Sequence, residues 1–417
     1  MVLLALLGGR AEAGLEITVT GGDFAALPIA VVPFAGAADL GLDLAALVSA
    51  DLSRSGQFRT VDPAGMLERP ATPEQVDFRN WRAIAVDNLV LGQVVRSGGG
   101  LAVRVQLLDV LRGRQLEQFE VPAPDSRRLR PVAHRIADLI YQRLTGVAGY
   151  FNSQIAYVAV TGPVGNRLHQ IVIADSDGYN PVTVASSREP LMSPAWSPNR
   201  QTLAYVGFER GRSAIYIHEL ASGALRKLVS ERGINGAPAW SPDGRLLAIT
   251  LSFEVNSDIY VIEAGSGVRR QLTRNFAIDT EPDWSPDGSE IVFTSDRGGQ
   301  PQIYVVNSGG GEARRITFEG RQNSRARFSP DGKWLALVNQ DENGYRIGLL
   351  DYKTRALRIL SEGPNDESPS FSPNGAVVVY AVQSRNELAT VTVDGRIRQR
   401  LSQPGDVHEP AWSPVAP

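Results

Sequence analysis

The chain has 417 residues, enough for two or three domains. Its 42 Lys and Arg nearly balance its 45 Asp and Glu, so no basic excess indicates a nucleic-acid or anionic-lipid partner. The absence of cysteine excludes disulfide frameworks, zinc–thiolate sites and Cys nucleophiles.

An apolar run at residues 2–7 comes first, and Ala11-Glu12-Ala13 follows it. This order is typical of a secretory signal cleaved after the last small residue, so residues 1–13 are predicted to be a signal-peptide remnant. No Lys or Arg precedes the run, and we therefore expect the true start codon to lie upstream. The alternative is an apolar strand packed on the first domain. The run is much shorter than the roughly 20 residues that span a bilayer, so no membrane insertion is expected.

Strand and helix patterns alternate in residues 14–146. Strands are predicted at 28–34, 58–61, 88–95, 101–108 and 115–121, and helices at 44–56, 79–85 and 126–144. This order predicts an N-terminal α/β domain with one sheet and two main helices, in which residues 14–22 are an extended segment.

A repeated motif dominates the rest of the chain. It reads Pro-Ala-Trp-Ser-Pro in its best copies and occurs six times, at spacings of 44, 44, 44, 43 and 41 residues. The copies begin at Pro194, Pro238, Pro282, Ala326, Pro369 and Pro410. Such a period is the signature of a repeat fold.

Each period contains four short strands separated by turns. Ser-Pro-Asp-Gly after the aromatic residue has the composition of a type I turn, and four strands in about 43 residues make one blade of a β-propeller. The last copy has room for one strand only, so we expect it to pair with strands near 155–184 and to close a six-bladed ring over residues 152–417. The predicted fold is an α/β N-terminal domain followed by an all-β six-bladed β-propeller.

The sequence lacks the common catalytic, phosphate-binding and metal-binding motifs. It has no nucleophile elbow, no phosphate-binding Gly-rich loop and no His-Glu-x-x-His. Asp175-Ser176-Asp177-Gly178 opens like a calcium loop but lacks the distal Glu, so a turn is favoured. The repeated Trp and Phe residues are interpreted as packing between blades. We therefore predict a binding protein with no catalytic residue, metal or cofactor.

The partner site is expected at one mouth of the propeller channel. The segments that lead into the six inner strands converge there, at residues 189–193, 233–237, 277–281, 320–324, 365–368 and 405–409. They are polar with a few apolar residues, among them Met192 and Ile234, which favours a protein–protein interface.

The repeats, together with Pro28-Ile29-Ala30-Val31-Val32-Pro33-Phe34 and Thr280-Glu281-Pro282, resemble the TolB family of periplasmic propeller proteins. The resemblance covers the chain after Ala13 and implies a monomeric, non-enzymatic adaptor of the Tol–Pal system. Such an adaptor supports outer-membrane integrity and envelope constriction at cell division.

The resemblance also implies the partners. The lipoprotein Pal is expected to bind the mouth, and bacteriocins are a further candidate there. The implied Pal-binding residues are Met192, Ile234, Ala237, Thr280, Glu281, Asn323, Glu367 and His408. The family often has His at position 234, so an apolar contact is expected in its place. TolA is expected to bind the segment Leu15, Glu16, Ile17, Thr18, Val19 and Thr20, which docks on the protein when Pal is bound.

Two other functions, enzymatic catalysis and glycan binding, are alternatives to the adaptor function. A propeller hydrolase would need about 200 further residues with a nucleophile elbow, and a propeller lyase would need several inward-facing histidines, of which only His408 is well placed. A glycan-binding propeller would need exposed aromatic residues on the loops, and the sequence offers few.

Overall fold

The computed structural model describes residues 17–19, 26–37, 40–97, 100–123, 125, 128–252, 256–401 and 403–415. The chain folds into an α/β domain followed by a six-bladed β-propeller, which confirms the predicted fold class. The predicted signal remnant at 1–13 lies outside the described residues.

The N-terminal domain has one five-stranded sheet. The strand β1 (Ile17–Val19) precedes this domain along the chain and is not part of its sheet. The elements of the domain are β2 (Leu27–Val31), α1 (Leu44–Arg54), β3 (Phe58–Thr60), α2 (Phe78–Ala83), β4 (Asn88–Ser97), β5 (Gly100–Asp109), β6 (Arg114–Ala123) and α3 (Leu129–Thr145). The sheet order is β3-β2-β4-β5-β6, parallel around β2 and antiparallel from β4 to β6.

Helices cover both faces of this sheet. Asp43 caps α1 by accepting a hydrogen bond from the Ala46 amide (3.0 Å), and Leu44, Val48 and Leu52 of α1 are buried with α3 on one face. The shorter α2 buries Trp81 on the other face. The apolar spacing of the sequence predicted both main helices correctly, because each buries a single stripe.

Each propeller blade is a four-stranded antiparallel sheet. Blade 1 combines β30 (Asp406–Trp412) with β7 (Gln154–Thr161), β8 (Leu168–Asp175) and β9 (Val182–Ser187). Blade 2 has β10 (Leu191–Trp196), β11 (Thr202–Glu209), β12 (Arg212–Glu219) and β13 (Leu225–Val229). Blade 3 has β14 (Asn235–Trp240), β15 (Leu246–Leu251), β16 (Asp258–Glu263) and β17 (Arg269–Gln271).

Blades 4 to 6 repeat the same order. Blade 4 has β18 (Asp279–Trp284), β19 (Glu290–Ser295), β20 (Gln302–Asn307) and β21 (Arg314–Arg315). Blade 5 has β22 (Gln322–Phe328), β23 (Trp334–Asp341), β24 (Gly344–Asp351) and β25 (Leu357–Ile359). Blade 6 has β26 (Asp366–Phe371), β27 (Val377–Val382), β28 (Glu387–Thr392) and β29 (Ile397–Leu401).

The ring closes where the two ends of the propeller meet. β30, the last strand, pairs with β7, and Trp412 lies opposite Ile155. This is the closure that the truncated sixth repeat predicted. It removes the free edges that an open arc of blades would leave.

The repeated motif forms the end of each inner strand and the turn that follows it. In blade 3, the Gly244 amide donates to the Ser241 carbonyl (2.9 Å), which closes the predicted turn. The tryptophan joins neighbouring blades, because the indole Nε1 of Trp240 donates to the Ala195 carbonyl (3.2 Å) and that of Trp284 to the Ala239 carbonyl (3.1 Å). The interpretation of these aromatics as contacts between blades is therefore correct.

The N-terminal domain packs on the propeller face opposite the channel mouth. Its core is continuous with residues of blades 1 and 6, among them Tyr157 and Val379. The linker at residues 146–153 crosses this junction, where Phe151 is fully buried and the Phe151 amide donates to Asp138 of α3 (2.7 Å). The domain therefore rests on the seam where the ring closes.

Candidate partner-binding site

A cavity of about 650 Å³ opens at the mouth of the channel, where the six inner strands begin. Five of the residues predicted for Pal binding line it: Met192, Ile234, Ala237, Thr280 and Glu281. Met192 is 39% exposed and Ile234 54% exposed, so two apolar side chains stand free at the rim. The cavity thus brings together residues from three consecutive blades.

A β-bulge shapes the inner strand of every blade. The pairing register shifts at the same place in all six, and one residue of each bulge has a left-handed backbone conformation (φ 47–56°) although none is glycine. These residues are Ser193, Ala237, Glu281, Arg325, Ser368 and Glu409. We call them the mouth ring, because all six line the cavity. Bulges bend a strand and redirect a side chain, and such strain accumulates at functional sites.

The charged members of the mouth ring are joined by Arg325. Its Nε lies 2.7 Å from Glu281 Oε1, and its Nη1 lies 3.4 Å from Glu409 Oε1 and donates to the Ser368 hydroxyl. Glu409 also accepts a hydrogen bond from the Ser193 amide (2.5 Å). Blades 1, 2, 4, 5 and 6 are therefore connected through one network.

The surroundings of the cavity raise the pKa values of two of its residues, Arg325 and Asp283. Burial opposes the charge of Arg325, but Glu281 and Glu409 outweigh that effect and raise the pKa of its guanidinium above its ordinary value. Deeper in the channel, desolvation raises the pKa of Asp283 to about 6, although its carboxylate accepts a hydrogen bond from the Phe328 amide (2.8 Å).

The other three predicted Pal-binding residues do not line the cavity. Asn323 is fully buried, and its amide bonds Gln302 (2.9 Å) and the Glu319 carbonyl (2.8 Å), so its side chain supports the loop and is not available to a partner. Glu367 and His408 lie beside the cavity, where Gln383 bridges them at 2.5 and 2.6 Å. His408 Nε2 is also 3.0 Å from Asp406.

Sequence reasoning missed the centre of the network. It selected Glu281 but not Arg325 or Glu409, since neither charge stands out in a polar loop. The available signal was positional, because each of these residues directly precedes the Pro or Ala that opens its repeat. An alignment of the six copies would have placed Glu281, Arg325 and Glu409 at the same position of the repeat.

Part of the predicted TolA-binding segment is docked on blade 6. β1 pairs antiparallel with β29, with Thr18 opposite Arg398, and it makes that blade five-stranded. Leu15, Glu16 and Thr20 lie outside the described residues. The pairing involves three residues, so the hydrogen bonds that hold the segment are few.

A second polar cluster lies between the domains. His134 of α3 bonds Asp51 of α1 (Nδ1–Oδ2, 2.7 Å), and its Nε2 lies 3.7 Å from Asp177. Arg54 pairs with Asp51 (3.0 Å), and Arg130 pairs with Asp177. Asp177 belongs to the β8–β9 turn, so the predicted turn at 175–178 forms and contacts the N-terminal domain.

Among the described residues, Asp51, His134 and Asp177 have potential metal-ligand atoms within 4.8 Å of one another. Arg54 and Arg130 already neutralise the two carboxylates, which disfavours a divalent cation there. Burial opposes the charge on His134, but Asp51 and Asp177 outweigh it and raise the pKa of the imidazole above its ordinary value. The cluster is therefore an ion-pair junction.

Known proteins match both domains. A family model described as the TolB amino-terminal domain matches residues 15–116, and one described as the TolB beta propeller domain matches residues 141–416. The chain belongs to the TolB family. The resemblance inferred from the sequence is thereby confirmed.

Relatives and a solved structure agree with this assignment over almost the whole chain. A Tol-Pal system protein TolB from Methylococcus capsulatus is 58% identical, covering 99% of this chain and 97% of its own length. One from Thioalkalivibrio sulfidiphilus is 56% identical, with the same coverage. The crystal structure of TolB from Acinetobacter baumannii has a TM-score of 0.88 at 39% identity, covering 97% of this chain and 100% of that chain.

None of the helices within the described ranges is both long and apolar enough to cross a membrane.

Proposed function

We propose that this TolB-family chain is a non-enzymatic periplasmic adaptor of the Tol–Pal system. It binds Pal at the channel mouth and TolA through residues 15–20, and it supports outer-membrane integrity and constriction at division. The observation that carries the proposal is the mouth cavity, whose wall includes Met192, Ile234, Ala237, Thr280 and Glu281. A concave surface with apolar rim residues around a polar centre has the character of a protein interface.

The docked segment supports the second half of the proposal. A short alternating strand can add to the edge of a partner's sheet, and a pairing of three residues is weak enough for release to be a modest change in free energy. β30, which carries Glu409 of the mouth ring, is the next strand after β29 along the chain. One stretch of chain thus links the two sites, and a ligand at the mouth that prefers one arrangement of β29 shifts the population of the docked segment.

The test titrates the purified soluble domains of Pal and TolA against the mature chain and two variants. Thr280→Arg places a long charged side chain in the cavity wall, so we expect at least a tenfold weaker Pal affinity, about 1.4 kcal/mol, with TolA binding retained. Deletion of residues 15–20 should abolish TolA binding and spare Pal.

Thr183→Arg on the outer strand of blade 1 is the control for the first variant, since Thr183 is exposed and far from the mouth. Glu281→Arg is a poorer choice because it would also face Arg325. Equal Pal affinity in Thr280→Arg and Thr183→Arg would contradict the placement of the site. Loss of both partners on deletion would make the segment structural.

A further inference from the structure

Phe276 is the most exposed aromatic side chain among the described residues, at 94%. It stands in the loop between β17 and β18, on the mouth side of blade 4. Leaving a phenylalanine in water forgoes the favourable free energy of burying its ring. Two other exposed rings, Tyr179 and Phe318, are each covered by an arginine, Arg130 and Arg315 respectively. Phe276 is therefore the apolar group on this surface that gains most from a partner.

The loop that carries Phe276 is fixed by side-chain hydrogen bonds. The Ala277 amide donates to Asn275 Oδ1 (3.1 Å), and Asn256 donates to the Asn275 carbonyl (2.9 Å). Beyond the ring, the Ile278 amide donates to Asp296 Oδ1 (2.8 Å). A loop whose backbone is held in place before binding loses little conformational entropy on contact, which favours a strong anchor.

The exposed ring continues the apolar rim of the mouth. Ile278, two residues further along, is 54% exposed, and so is Ile234 in the corresponding loop of the neighbouring blade 3. Ile234 and Thr280 line the cavity itself. The apolar surface thus extends outward from the mouth along two adjacent blades.

Basic side chains surround this surface. Arg210, Arg232 and Arg274 are exposed on mouth-side loops, and no carboxylate of the described residues forms an ion pair with them. Glu209 and Glu231 of the same loops are already paired with basic side chains of the outer strands (2.6 and 2.5 Å). These arginines therefore lack acidic partners among the described residues, although the nearby Glu189 and Asp296, which accept backbone amide hydrogen bonds, reduce the net positive charge of this rim.

We propose that Phe276 is an anchor for the partner that binds at the mouth and that Arg232 and Arg274 guide its association. This inference rests on the proposed function. The geometry fits a folded protein domain whose docking surface has an apolar pocket bordered by carboxylates. An aromatic anchor of this kind dominates the dissociation rate, while rim charges act mainly on the association rate. The mouth cavity and the rim are then one continuous interface.

Stopped-flow and equilibrium titrations with the soluble Pal domain test this inference. Phe276→Ala should weaken affinity at least tenfold, mostly through faster dissociation. Arg232→Gln and Arg274→Gln should each slow association severalfold at low salt and reduce its dependence on salt concentration. Val268→Ala and Arg245→Gln are matched controls on the opposite face, where both residues are exposed.

The outcomes separate this inference from the proposed function. Wild-type affinity in Phe276→Ala, together with weak binding by Thr280→Arg, would overturn the anchor and leave the mouth site standing. Association that does not change with salt or in the two arginine variants would overturn the guiding role. A wild-type chain that does not bind Pal at all would overturn both the inference and the proposed function. Because Phe276 is almost fully exposed, unchanged thermal unfolding of its variant is the expected folding check.

Discussion

Arg325 contacts charged or polar groups of three other blades through a single guanidinium. Its partners Glu281, Ser368 and Glu409 come from blades 4, 6 and 1. All four residues have left-handed backbone conformations, each of which costs on the order of 1–2 kcal/mol for a residue other than glycine. The ring network helps to offset this strain, because the side chains would not meet if the strands ran straight.

Replacing Arg325 with Met tests this role. Glu281 and Glu409 would lose their cation, and we expect the free energy of unfolding to fall by about 2 kcal/mol. This value lies between the loss for a buried pair and the small loss for an exposed one, since the side chain is 29% exposed. Urea unfolding followed by tryptophan fluorescence measures the change.

Two further variants give the controls for Arg325→Met. Adding Glu281→Gln to it should recover part of the stability, because one uncompensated charge is removed. Arg245→Met, which breaks an exposed pair with Asp243, should change the free energy of unfolding very little. Equal stability of Arg325→Met and wild type would show that the network does not stabilise the ring.

At the scale of elements, the repeats made the propeller predictable. A period near 44 residues, a Pro-containing turn and a truncated last copy determine the blade number and the closure of β30 on β7. The helices followed from apolar spacing, as α1 and α3 show. These features depend on local patterns that recur or that bury one face.

The features that the sequence did not predict depend on contacts between blades. Asn323 occupies a polar loop position and is nevertheless fully buried, because Gln302 of blade 4 and Asn339 of blade 5 satisfy its amide. In the sequence, Arg325 has no feature that distinguishes it from a surface arginine. Only the closed ring of blades places it between Glu281 and Glu409. No window of sequence contains these partners.

The docked strand can be tested by a cross-link. Thr18 and Arg398 are directly opposite in the β1–β29 ladder, and Cα atoms in such pairs are roughly 4.5–5.5 Å apart, within reach of a disulfide. The chain has no cysteine, so Thr18→Cys with Arg398→Cys can form only one intramolecular bond. We expect oxidation to abolish TolA binding and reduction to restore it, with Pal binding at least as tight in the oxidised form, because Pal favours the docked segment.

The control for the cross-link is Arg398→Cys alone under the same oxidation, because Arg398 also bonds the Leu360 carbonyl (3.0 Å) and Glu362 (2.5 Å). Equal TolA binding by the oxidised and reduced double variant would mean that the segment need not leave β29.

At the scale of the whole molecule, the junction between the domains contains several buried titratable groups. His134 faces Asp51 and Arg54 of α1 and Asp177 of the β8–β9 turn. On its own helix, Arg130 and Asp138 lie near the same junction, and Asp175 is 3.4 Å from Arg130. Desolvation raises the pKa of Asp138 to about 6, even though two linker amides donate to it.

Folding stability should therefore fall in two ranges as the pH rises, first between about pH 4 and 6 and again above about 6.5. The pKa of His134 is raised in the folded state, so its contribution is complete below its ordinary value of about 6.5 and is lost as the pH rises through the folded pKa. Asp138 acts in the same direction over a lower range, because its pKa is about 6 in the fold against an ordinary 3.8, so on the order of 2–3 kcal/mol of stability is lost as the pH rises from 3.8 to 6. Asp177 acts oppositely, since its lowered pKa makes stability fall in acid below its ordinary value of 3.8.

Thermal unfolding from pH 4.5 to 8.5 measures this dependence. We expect the melting temperature to fall from pH 4.5 to 6, where Asp138 ionises, and to fall again above about pH 6.5, where His134 loses its proton. His134→Asn can still donate to Asp51 but does not titrate, so its decline should be shallower than that of wild type. Asp138→Asn should flatten the curve between pH 4.5 and 6, where Asp283 in the channel contributes a slope of the same sign. A wild-type melting temperature that rises from pH 6 to 8 would show that the junction does not hold a protonated imidazole.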